Sequence, residues 1–143
     1  MAATRSRKEE KTYKSHLKKI FNNECAFCTI NKNSEQFIRA SHSFKIIHNI
    51  FPYSFWDGQK VVDHLMVVPK KHVDNLGHMT DKEKVEFIDI IESYERQGYN
   101  VYARAPASAI KSVVHQHTHL IKTAGAPKRL VFLLRKPYIR ILR

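Results

Sequence analysis

Three histidines, His115, His117 and His119, fall within five residues of one another in the run SVVHQHTHLI. Imidazole near neutral pH can act as nucleophile, acid, base or metal ligand, so the spacing decides what a cluster can do. On a strand, side chains two residues apart share a face, about 6.5–7 Å apart. A strand over 112–121 would therefore align all three rings, with Val114, Gln116, Thr118 and Leu120 on the other face. On a helix only His115 and His119 would meet. The β-branched neighbours Val113, Val114 and Thr118 favour the strand. Such a row is hard to explain as idle or merely hydrogen-bonded histidines and suits chemistry by the rings themselves. Metal binding by all three is the other chemistry it permits.

Cys25 and Cys28, in Cys-Ala-Phe-Cys, are the only cysteines. A close pair in an intracellular-looking chain suggests a metal knuckle or a redox pair before a structural disulfide. Zinc prefers four tetrahedral N/S ligands, so two more must come from elsewhere. His64 and His115 are the candidates. With four protein ligands the zinc is structural, because no position remains for water.

These residues need a scaffold, and 143 residues suffice for one domain with its own core. Strands are expected over 43–51 (SFKIIHNIF), 61–68 (VVDHLMVV) and 99–104 (YNVYAR), besides the triad segment. PYSFWDGQ reads as a loop. Thr80-Asp-Lys-Glu83 is a capping-box pattern opening a helix to about Gln97, with Gly98 placed to cap its end. Val85, Phe87, Ile88, Ile91 and Tyr94 give that helix a broad apolar face.

Residues 1–24 read as a basic helical extension, 25–125 as the domain that carries the chemistry, and 126–143 as a basic tail. A helix over 5–22 would set Tyr13, Leu17, Ile20 and Phe21 on one face and Arg5, Arg7, Lys8, Lys11, Lys14, Lys18 and Lys19 on another. The tail could be a strand, a dimer contact or a surface-binding segment. Formal net charge is +12, which favours a polyanionic partner: nucleotide, nucleic acid or acidic membrane surface. No apolar run approaches the ~20 residues needed to cross a bilayer. The charged N-terminus lacks the apolar core of a signal peptide, so a cytoplasmic location is expected.

Taken together the motifs resemble the histidine-triad (HIT) family of nucleotide hydrolases and transferases, from about Cys25 to Ile121. HQHTHLI resembles its His-x-His-x-His signature, ECAFCTI its early Cys-x-x-Cys segment, and IIHNIFP its strand ending in a ribose-contacting Asp or Asn. DHLMVVPKKHV is similar to its block of His, apolar strand and Pro-Lys-Lys-His, here with His64, Pro69 and His72.

The resemblance implies an α+β fold, an antiparallel sheet with flanking helices, and commonly a homodimer. It implies zinc on Cys25, Cys28, His64 and His115. His117 would attack the α-phosphorus to form a nucleotidyl-imidazole, His119 would hold phosphate oxygens, and Ser112 would stand near phosphate and leaving group. Asn49, with His48 beside it, would contact the nucleoside. Arg104 stands where nucleotide-hydrolysing members usually carry Asn, and Lys111 where Gln is common. Both can add charge-assisted contacts to phosphate, which suits a more anionic substrate. The implied function is hydrolysis or transfer at the α-phosphate of a nucleotide conjugate. The alternative is a zinc-stabilised module that binds nucleotide or nucleic acid with little turnover.

Overall fold

The structure, a computed structural model, describes residues 5, 7–19, 25–109, 111–127, 131–135 and 138–142. Its centre is an antiparallel sheet of six strands: β1 (Phe37–Ala40), β2 (Phe44–His48), β3 (Phe55–Trp56), β4 (Gln59–Pro69), β5 (Tyr99–Ala103) and β6 (Thr118–Ala124). Their spatial order is β1-β2-β4-β6-β5, with β3 paired to the start of β4. The expected α+β architecture is present. The 11-residue β4 is central, and its run His64–Pro69 is buried throughout. An uninterrupted apolar stretch suits a strand covered on both faces.

Alternation along the strands sorts the two coverings. Phe44, Ile46, Leu65, Val67 and Leu120 meet Met79 and the Ile90, Ile91 and Tyr94 side chains of α2 (Asp81–Glu95). On the opposite face Ile47, Met66 and Val68 pack with Phe27 and Ile30, which follow Cys25. His64 has the parity of Met66, and His119 is the register partner of Met66 on β6. The two histidines are thereby placed on the face away from α2.

The capping box forms as the sequence indicates. Thr80 Oγ1 accepts from Glu83 N at 3.3 Å, and the Glu83 carboxylate accepts from Thr80 N at 2.7 Å. Gly98, at φ +84°, turns the chain from α2 into β5, a conformation that favours glycine. The expected apolar face of α2 is narrower than its composition suggests: Val85 and Ile88 are exposed.

Two expectations change. PYSFWDGQ contains β3, folded back on β4 through Asp57-Gly58, whose φ values of 48° and 75° are those of a type I′ hairpin turn. The triad segment is a strand only from Thr118 onward. Ahead of it the chain leaves the sheet, and Gln116 N donates to Val73 O at 2.6 Å in the loop after β4.

The N-terminal helix is α1 (Arg7–Lys19). Tyr13 is the member of its expected apolar face whose side chain is described, whereas Ile20 and Phe21 lie outside the described residues. The tail forms a separate hairpin of β7 (Val131–Arg135) and β8 (Tyr138–Leu142). Among the described residues no helix is long and apolar enough to cross a membrane.

Candidate active site and metal centre

The Cys25–Cys28 turn is closed by Cys28 N donating to Cys25 O at 2.9 Å. It is fastened from below by Lys45, a buried lysine of β2 whose Nζ donates to Phe27 O at 2.5 Å and Ile30 O at 2.8 Å. The two carbonyls replace the water that its ammonium gave up.

His115 Nδ1 lies 3.4 Å from Cys25 Sγ and 3.5 Å from Cys28 Sγ, and His72 Nδ1 lies 3.3 Å from Cys28 Sγ. The four ligating atoms all fall within 4.8 Å of one another. In a regular zinc tetrahedron with ordinary bond lengths, a sulfur–nitrogen edge is about 3.5 Å, so these residues fit the ion. The orientation of His115 fits as well. Its Nε2 donates to Pro69 O at 3.0 Å, which leaves the Nδ1 lone pair facing the sulfurs. Burial lowers the His115 pKa to about 4, keeping the ring neutral.

His64, expected to complete this set, is elsewhere, and His72 takes its place. The reason is reach. His64 precedes Pro69 by five residues on an extended strand, about 17 Å of chain. His72 follows the end of β4, where the chain turns back over the cysteines.

His64 instead joins His119, with Nε2 and Nδ1 2.9 Å apart. The direction of the bond follows from its neighbours. Tyr53 N–H donates to His64 Nδ1 at 3.1 Å, so the proton of His64 resides on Nε2 and is donated to His119 Nδ1. His119 must then carry its own proton on Nε2, directed outward as a donor. The Asn49 amide nitrogen stands beside both His64 ring nitrogens, at 3.1 and 3.4 Å, while its Oδ1 accepts from Phe51 N at 2.9 Å. Asp63 accepts from His64 N at 2.8 Å and from the Tyr99 hydroxyl.

The central His117 is oriented the opposite way. Its Nδ1 donates to His115 O at 2.8 Å, which leaves Nε2 with the lone pair. Its ring is 5.1 Å from that of His119 and 5.0 Å from Phe27. Burial lowers the pKa of His117, takes His119 well below its ordinary value, and takes His64 to about 3. The three rings are thus neutral at physiological pH, one presenting a lone pair and its neighbour a proton.

The remaining expected residues separate into two groups. Asn49 and His48 line a cavity of about 430 Å³ beside His64, together with Glu9, Tyr53 and Ser54. That volume is within the range of small-molecule sites. Arg104 donates to Tyr53 Oη at 3.2 Å and lies over Tyr102, 5.3 Å from its ring centre. Its charge reaches both His117 and His119 and helps to hold them unprotonated. Lys111 is used as a tie: Nζ donates to Asp74 O at 2.9 Å and to Gln116 Oε1 at 3.2 Å. Ser112 is exposed in the loop before the triad.

Residues not singled out from sequence also contribute. Tyr53 packs on both His64 and His119, with ring centres 4.8 and 5.7 Å away, and Arg5, ahead of α1 in the chain, reaches the same ring. Nothing in a tyrosine within an irregular loop marks it in advance.

The HIT domain model matches residues 30–125. The chain belongs to the HIT family. An adenosine 5′-monophosphoramidase of Candida albicans is similar to it, 29% identical over an alignment of 110 positions that covers 68% of each chain. Among solved structures, a HIT family hydrolase from Clostridium thermocellum superposes with a TM-score of 0.56 at 22% identity, covering 76% of this chain and 98% of its own. A zinc-bound histidine triad family protein from Mycobacterium smegmatis has the same TM-score and identity, covering 73% and 78%. At these identities the structural likenesses establish the HIT fold.

Proposed function

We propose that this HIT protein cleaves a nucleotide conjugate at its α-phosphate through His117, and that Cys25, Cys28, His72 and His115 bind a structural zinc ion. The observation that carries the reading is the opposed orientation of two adjacent rings, fixed by His115 O on one side and by Tyr53 and His64 on the other. His117 Nε2 attacks the α-phosphorus, a P–N bond forms, and the bond to the leaving group breaks with its electron pair departing on that group. His119 Nε2–H donates to a phosphate oxygen as charge develops there. Water then attacks the same phosphorus, releasing nucleoside monophosphate and restoring His117. An acceptor other than water would make the second step a transfer.

The cavity beside His64 would hold the nucleoside, with His48 and Asn49 on its wall. Arg104 and exposed Ser112 would meet phosphate and leaving group, and Lys111 would act by fixing the loop that carries them. Zinc in the four-residue set would brace the strand that presents His117, having no position left for water. The C. albicans relative, an adenosine 5′-monophosphoramidase, supports a phosphoramidate substrate. As a homodimer, the chain would cover Val85 and Ile88 of α2.

The test is turnover of nucleoside phosphoramidates, dinucleoside polyphosphates and nucleotide sugars by the parent and by His117→Ala, with trapping of labelled nucleotide on His117. Loss of turnover with zinc retained is expected. Unchanged turnover in His117→Ala rejects the mechanism. Nucleotide binding without turnover in the parent would leave the binding-module reading.

A further inference from the structure

The HIT match begins at residue 30, yet Arg5 and the first turns of α1, well ahead of it, pack on the loop that serves His64. Each contact grips a different point of that loop. Arg5 Nε donates to Phe51 O at 3.0 Å, and the guanidinium lies 4.2 Å from the Tyr13 ring centre and 5.0 Å from that of Tyr53. Both distances are within cation–π range. One turn apart on α1, Glu9 accepts from Ser54 Oγ at 2.5 Å and Tyr13 meets Phe51 edge-on at 5.3 Å. The Arg5 side chain is only 16% exposed, so its contacts are made largely out of water, where they hold more firmly.

Residues 49–54 are irregular chain between β2 and β3. Their ends are fastened to the sheet by Asn49 N donating to His64 O at 2.9 Å and by Val61 N donating to Ser54 O at 3.0 Å. Between these ends stands Tyr53, whose N–H at His64 Nδ1 decides which nitrogen of His64 carries the proton. A backbone N–H does this only while its peptide plane is held. Were the plane to rotate, His64 Nδ1 could take a proton of its own. The bond to His119 would then reverse, and the outward proton of His119 would be lost from Nε2.

We propose that Arg5 and Glu9 are positioning residues of the site: they clamp Phe51 and Ser54, on either side of Tyr53, and so keep the Tyr53 N–H on His64 and the proton of His119 outward. This role rests on the reaction proposed for His117, in which that proton is used, and gives the segment ahead of the family domain a part in it. The clamp bears on the N–H from both directions along the chain, and the Tyr53 ring carries it further, packed on His64 and His119 themselves. Small movements suffice, since a displacement of about 1 Å can cost about a hundredfold in rate. Lys8, Lys11 and Lys14 of the same helix are exposed and take no part in the clamp.

The experiment uses the full chain with Arg5→Met, Glu9→Ala, Glu9→Gln, Ser54→Ala and, as a control that removes an exposed charge from α1, Lys11→Met. Long-range proton–nitrogen correlation spectra distinguish a protonated ring nitrogen from a bare one, with His64 assigned by its absence from His64→Gln. The parent and Lys11→Met should show His64 with its proton on Nε2. Arg5→Met, Glu9→Ala and Ser54→Ala should show a mixture of tautomers, and their kcat on adenosine 5′-phosphoramidate should fall about ten- to hundredfold. In Arg5→Met, which leaves the cavity wall intact, KM should change less than kcat. Glu9→Ala and Ser54→Ala leave the charge of Arg5 in place, so a loss shared by all three is one of position. Glu9→Gln keeps an oxygen for Ser54 Oγ and should restore both readings. A single Nε2–H tautomer in all three variants would overturn the inference, as would a parental kcat beside an altered His64, or equal losses in Glu9→Gln and Glu9→Ala. If the parent cleaves nothing, the reaction proposed for His117 fails, while the spectra still decide whether the clamp sets the His64 tautomer.

Discussion

His64 Nε2 donates to His119 Nδ1 across 2.9 Å, and this contact places the outward proton of His119. His64 belongs with His119, separate from the cysteines. Replacing it with Gln should lower kcat by about ten- to hundredfold, the usual effect of removing a partner that orients a functional imidazole. Zinc content should not change. A His64→Gln protein that turns over at the parental rate would show that His119 needs no such partner.

The proposed zinc site gives the reciprocal expectation. His72→Ala should lose zinc and melt at a lower temperature, because the ion's binding energy contributes to folding. Metal analysis and thermal unfolding of His72→Ala and His64→Ala, side by side, test the assignment. Retention by His72→Ala with loss in His64→Ala would restore the set expected from sequence.

Stability should depend on pH through the same buried rings. His64 titrates at about 3 in the folded chain against 6.5 ordinarily, and His119 also lies well below 6.5, burial being the main cause in both. The unfolded chain therefore binds more protons than the folded one between those values. Stability contributed by the neutral rings is complete above pH 6.5 and is lost progressively as pH falls toward 3. Urea midpoints should decline across that window, and less steeply in His64→Gln. Parallel declines in the two proteins would assign the acid sensitivity to other groups.

Thr118 supplies a test in the core. Its hydroxyl is buried against the α2 side of the sheet and has no hydrogen-bond partner among the described residues. Thr118→Val keeps the shape and removes the unmet polar group, so it should stabilise the protein by about 1 kcal/mol. A lower urea midpoint would mean that the hydroxyl is satisfied in solution.

Much of this arrangement was legible in the residues. The capping box at Thr80 and Glu83, the alternating run of β4, and Gly98 after α2 each state a local rule that tertiary packing then obeys. The triad was legible as a cluster but not as geometry. Period-two alternation predicted one row of rings, yet pairing with β4 and β5 begins only at Thr118, where Val67 and Ala103 stand opposite. His115 is placed by its long-range bond to Pro69 O, and the backbone beside it by Gln116 N donating to Val73 O. His117 is placed in turn by His115 O, and the two long-range bonds are recorded by no local pattern. The exchange of His64 for His72 has the same origin. Both histidines flank one apolar strand, and only the path of the chain after Pro69 shows which reaches the cysteines. Asp57-Gly58, by contrast, carried a hairpin signal that the two-residue length of β3 concealed.

The bonds from His115 to Cys25 and Cys28 join residues 90 and 87 positions apart. A folding chain cannot make them until β2, β4 and β6 have been laid side by side, because those strands bring the two segments together. Closing so large a loop comes late, after the slow non-local pairings that limit folding of sheets. A metal held there would therefore act as a latch instead of a seed. It would slow unfolding many-fold while hardly changing the rate of folding, a kinetic signature that chevron measurements with and without zinc can read.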